Sequence, residues 1–131
     1  MYKTIRIITI LLLLFVSINA LVAGYLFMLD PSGRYLHIST SWLQYSPFTS
    51  FFIPGLILFV ANGLLTLVTL LFTFLKWKYY EGTIIVQGLI LNGWIVVQVI
   101  LLQKIDFLHY IFFGIGLLLL VSGVILSHLK K

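Results

Sequence analysis

Residues able to do chemistry are few in this chain of 131 residues, and their positions narrow what they can do. The acids are Asp30, Glu81 and Asp106, the histidines are His37, His109 and His128, and there is no cysteine. Without cysteine there are no disulfides, no thiol–quinone redox step and no thiolate metal site. Each acid lies at the edge of an apolar run, so no carboxylate is embedded mid-run, where proton-coupled exporters need one. No HExxH, no GxS-type nucleophile and no paired aspartates within an apolar run occur. His37 and His109 are the one pair of imidazoles expected on the same side, and a haem or metal would need ligands at matching depth. The inventory predicts no catalytic residue, no metal and no cofactor, and therefore no enzyme.

Uncharged polar residues carry more information. In residues 53–76, Asn62, Thr66, Thr69 and Thr73 project with Gly55 within a narrow arc at 100° per residue. His109, Gly116, Gly123 and Ser127 do the same further on, and Ser17, Ala20 and Gly24 form a shorter small-residue face. Such spacing suits close helix packing, with hydroxyls bonding between helices. The competing expectation is that the threonine stripe lines a polar path. Between 82 and 103, Gln87, Trp94 and Gln98 share one face, whereas Gly88, Asn92 and Gln103 fall on roughly the opposite one. An amide in hydrocarbon needs a partner. One face can serve the core, and the other is expected to meet a second chain, a lipid headgroup or a bound molecule. If Asn62 is core glue, Asn62→Leu should strand its partner and cost more than replacing Thr66 and Thr69 by valine.

These stripes need elements to hold them. The chain is 62% hydrophobic and only 8% charged. Ordinary domains carry roughly a quarter charged residues, so this chain cannot cover itself in water and its solvent is expected to be lipid. Uncharged stretches run over 7–29, 35–75, 82–103 and 107–129. A helix needs about 20 residues to cross a bilayer core. Continuous apolar runs exclude an alternating barrel pattern. The prediction is a single membrane domain: an all-α, antiparallel four-helix transmembrane bundle with spans at about 6–29, 53–76, 82–103 and 107–129.

Basic residues set the orientation. Lys3, Arg6, Lys76, Lys78, Lys130 and Lys131 fall on one side, leaving only Arg34 and Lys104 on the other. The excess of positive charge places both termini in the cytoplasm. Because the bases sit at the ends of apolar runs and form no basic face, the net charge of +5 does not imply nucleic acid. The first run is longer than a signal core and lacks a convincing cleavage site, so it reads as a retained helix.

The long external loop is the most distinctive segment. Asp30-Pro31-Ser32-Gly33 is a turn sequence that stops the first helix, and Arg34 can pair with Asp30. Tyr35, Trp42 and Tyr45 supply headgroup-level rings beside His37. Ser46-Pro47 reads as a helix start, and Pro54-Gly55 should break or kink that helix. A short interfacial helix or re-entrant turn over the mouth of the bundle is expected.

The ordered set Asp30-Pro31-Ser32-Gly33, Ser46-Pro47-Phe48, Ile53-Pro54-Gly55-Leu56, Asn62-Gly63, Gln87-Gly88 and Gly93-Trp94-Ile95 resembles a group of small uncharacterised bacterial four-helix membrane proteins. The resemblance covers roughly residues 20–105. It implies four helices, a bacterial cytoplasmic membrane and an external loop of this kind, and carries over no activity. Two functions remain open from the sequence: a helper or subunit contacting lipids, other membrane helices or a second copy, and an oligomeric channel or carrier lined by the helix-2 stripe.

Overall fold

Continuous apolar runs with no alternation form helices, because in hydrocarbon every backbone group must find its partner within its own segment. The computed structural model describes residues 1–36, 40–103, 105 and 107–130, the last without its side chain. Four helices are long and apolar enough to cross a membrane: α1 (Tyr2–Leu29), α2 (Phe52–Phe74), α3 (Tyr80–Leu102) and α4 (Phe107–Lys130). No strand occurs among the described residues.

Local chemistry explains the helix ends. Pro31 disfavours helical geometry in the residue before it, and Asp30 is extended at φ −136° and ψ 94°. The end of α2 is a Schellman motif: Lys76 is left-handed at φ 57°, its N–H reaches the Thr73 carbonyl, and the Trp77 N–H reaches that of Phe72. The Phe72 and Trp77 rings stack at 4.4 Å across the motif. Arg6 on α1 adds two bonds there, to the carbonyls of Thr73 (3.0 Å) and Phe74 (2.7 Å). A cation is favoured at that end of a helix.

The second helix departs from expectation in two ways. Pro54 lies in its first turn, where no amide hydrogen is needed, so Pro54-Gly55 does not break it. The irregularity comes later, as a π-helical segment over Leu58–Leu64 containing Asn62 and Gly63. Gly55 serves packing instead: a Cβ there would sit 2.5 Å from Phe27 Cβ. One at Gly24 would sit 2.7 Å from the Gly55 carbonyl oxygen. Further along the pair, Gly63 rests on Leu21.

Each helix packs on its neighbours in the chain, and α4 closes the ring on α1. The α3–α4 contact uses the same small-residue device, with Gly88 against the Gly116 carbonyl and Gly123 against Ile85. Leu13, Ile84, Leu119 and Leu126 fill the centre and are fully buried. Leu11, Val22, Leu89, Ile100, Leu118 and Val121 are among the large apolar side chains exposed on the outside. In lipid that exposure carries no cost.

The loop from α1 to α2 is closed by the Phe51 N–H bonding the Pro31 carbonyl at 2.8 Å and by the Phe27–Phe51 stack at 4.8 Å. Two 3₁₀ turns, Arg34–Leu36 and Thr40–Leu43, stand in it, against α1 and α3 respectively. No helix starts at Ser46-Pro47. The Ser46 hydroxyl donates to the Leu43 carbonyl (2.9 Å) and accepts from the Phe48 N–H (3.2 Å), so it holds two turns together.

Candidate functional site

The expected polar residues do not stay in one stripe. Thr66, Thr69 and Thr73 are buried along α2, with Thr73 Oγ1 donating to the Thr69 carbonyl at 2.8 Å. Gln87, almost fully buried on α3, donates Nε2 to the Ala61 carbonyl at 3.0 Å. That carbonyl belongs to the π segment. The opposite face of α3 is used within the chain. A Cβ at Gly116 would sit 1.9 Å from Asn92 Oδ1, and one at Gly88 2.9 Å from the Gly116 carbonyl oxygen, so Gly88 and Asn92 pack on α4. The sequence expected this face to meet a second chain, a lipid headgroup or a bound molecule; Gly88 and Asn92 of that face lie against α4, and Gln103 is exposed beyond the end of α3.

One residue of the stripe parts from the threonines. Asn62 lines a cavity of about 350 Å³ together with Trp94 and Gln98 of α3, Ala20 and Ala23 of α1, and His109 and Phe112 of α4. Trp42, Leu36 and Phe51 of the loop belong to the same wall, so the loop covers the cavity. Asn19 of α1 and Leu108 of α4 also line it, and both are exposed. Phe15 and Phe112 stack at 5.9 Å and join the same two helices.

The polar groups in this wall are unusual. Asn62 is 0% exposed, and neither its Oδ1 nor its Nδ2 has a hydrogen-bond partner. Trp94, also buried, leaves its indole Nε1–H without one. A buried amide in this state costs about 1–3 kcal/mol relative to a bonded one. Further along α2, Thr66 Oγ1 is likewise without a partner. No Lys, Arg, Asp or Glu is in the described lining, so the wall carries no carboxylate and no ammonium or guanidinium charge.

Comparison with protein-family models, with curated proteins and with solved structures found no match.

The remaining predicted residues sit in the loop. Asp30 Oδ1 accepts from the Ser32 hydroxyl (2.7 Å) and the Ser32 N–H (3.1 Å), and Arg34 Nε lies 3.3 Å from Oδ2. The two Ser32 bonds hold the Asp30 carboxyl below its usual pKa, with the Arg34 charge acting in the same direction. Gly33 completes the turn at φ 83°. Tyr45 points outward and is 66% exposed. His37 lies outside the described residues, and with it the expected approach to His109. The sequence set His109 on the packing stripe of α4 with Gly116 and Gly123, and it is buried; that it borders a cavity shared with Asn62 was not legible. Ala20 and Gly24 were recognisable as a small-residue face, but not that Ala20 leaves space while Gly24 closes it.

Proposed function

We propose that this chain is a non-catalytic, multi-pass membrane protein that acts as a helper or subunit through contacts with lipids or other membrane helices. The observation that carries this reading is the outward distribution of side chains. α3 keeps Gln87 and Asn92 against α2 and α4, while Val86, Leu89, Val96, Val97 and Ile100 are left exposed. An encounter at this face of α3 would meet an apolar surface, with no ionisable group at mid-depth.

The helices are taken as an antiparallel bundle, with Arg6 of α1 at the end of α2 and Gly24 at its beginning in support. Both termini are cytoplasmic by the six-to-two partition of Lys and Arg. The resemblance to small bacterial four-helix proteins favours a bacterial cytoplasmic membrane. The alternative, a channel or carrier along the threonine stripe, gains little from the geometry: Thr66, Thr69 and Thr73 are buried, and of the stripe only Asn62 borders the cavity.

Photocrosslinkers at Leu89 and Val121, on the lipid faces of α3 and α4, test the reading in native membranes. Discrete adducts with other membrane proteins, together with liposomes that show no solute flux, are expected. Flux that disappears in a folded Thr66→Val/Thr69→Val variant would overturn it in favour of the channel.

A further inference from the structure

We propose that the cavity beneath the outer loop binds a small neutral amphiphile, with a hydroxyl or carbonyl head and an apolar body, entering at the α1–α4 seam. Two independent groups point to such a ligand. The Asn62 amide offers two donors and an acceptor and Trp94 offers a donor; these atoms are buried and unpartnered, and both residues line one cavity. A carbonyl head accepts from both residues, and a hydroxyl can also donate to Asn62 Oδ1. The body lies against Ala20, Ile95 and Phe112.

Charge and size narrow the class. An ammonium would leave water for a wall with no acid to pair it, and a carboxylate or phosphate would find no lysine or arginine there, only the imidazole of His109, which is unfavourable in low dielectric. The volume of about 350 Å³ falls within the roughly 300–1,000 Å³ of small-molecule sites. Exposed Asn19 of α1 and Leu108 of α4, both in the wall, mark the lateral entrance, which suits a molecule dissolved in the bilayer.

The test uses the full chain in phosphatidylcholine nanodiscs, carrying Trp77→Phe so that Trp42 and Trp94, both in the cavity wall, report by fluorescence. Titration with 10-bromodecanol should give saturable quenching. Decanol and a decyl-substituted benzoquinone should reverse it, and decyl sulfate should compete at least tenfold more weakly. Asn62→Leu should weaken binding tenfold or more without lowering the unfolding temperature, which separates lost recognition from lost folding. Ala23→Phe, which fills the cavity from α1, should abolish saturation. Quenching that never saturates, that decyl sulfate reverses as well as decanol does, or that both substitutions leave unchanged would overturn the proposal. Binding lost on Ala23→Phe but untouched by Asn62→Leu would overturn the assigned head-group recognition. Native mass spectrometry of protein extracted from its own membrane in mild detergent separates the sources. A retained adduct lost in Ala23→Phe identifies a resident lipid, and decanol-competable binding without an adduct identifies a molecule taken up from outside.

Discussion

Asn62 shows how a single amide can change an expected outcome. From sequence, Asn62→Leu should strand a partner. In the structure there is no partner to strand, because both amide atoms are buried without a bond. Replacing an unsatisfied buried amide by an apolar side chain removes a desolvation cost of about 1–3 kcal/mol. The ligand-free protein should therefore gain stability on Asn62→Leu, measured by thermal unfolding in detergent. A loss above about 2 kcal/mol would show that the amide is bonded after all. Thr66→Val, which removes another unpartnered atom and nearly keeps shape, should change stability by no more than about 1 kcal/mol. At Asp30 the prediction concerns pH. Its carboxyl is held down first by the Ser32 hydroxyl and N–H, then by Arg34. A depressed folded pKa means that the ordering effect is present above the unfolded value and fades only as pH falls through the lower folded one. The Asp30 carboxyl carbon should titrate below an ordinary aspartate by NMR, and Ser32→Ala should move it up.

Among the elements, the two tight helix contacts are held by glycines, and the effect of replacing a glycine depends on what it faces. An added Cβ at Gly24 meets the Gly55 carbonyl and Phe59 at 2.7–2.8 Å. Gly24→Ala should cost about 1–3 kcal/mol through forced separation of α1 and α2. At Gly93 on α3 an added Cβ would have nothing within 4 Å, so Gly93→Ala should be neutral or gain up to about 1 kcal/mol from helix propensity. Equal effects at the two sites, read by thermal unfolding, would show that these contacts do not form. The loop behaves as an element too. The Phe51 N–H bonds the Pro31 carbonyl and the Ser46 N–H bonds that of Leu43, so both amides should exchange slowly in a membrane mimic. Free exchange at Phe51 would mean that the loop does not close over the cavity.

For the whole molecule, the partition of charge makes the strongest statement. Cysteine introduced at Ser32 should react with an impermeant thiol reagent from outside the cell, and cysteine at Lys78 should react only after permeabilisation. The reverse pattern would invert the topology and place the cavity on the cytoplasmic side. The Arg6 bonds at the end of α2 put this base close in the chain's fold to Lys76 and Lys78, so the positive cluster is a feature of the folded protein as well as of its sequence.

Four spans, their ends within a few residues and the turn at Asp30–Gly33 were legible in the sequence, because they depend on composition and local backbone chemistry. Hydrocarbon imposes one solution on an apolar run, and proline and glycine act on their immediate neighbours. The small-residue faces were legible for the same reason, since a helix period maps spacing onto direction. What only the tertiary structure decided is which side chains share a space. Asn62 and Thr66 lie on one sequence stripe, yet Asn62 borders a cavity that Thr66 does not. Gln87 and Asn92 looked like an inward and an outward amide, yet α2 takes one and α4 the other. The π segment that sets Asn62's position has no local signal comparable to Pro54-Gly55, where a break or kink was expected. Burial, partnering and empty volume depend on the relative placement of four helices and a loop, a property of non-local contacts that no stretch of sequence carries alone.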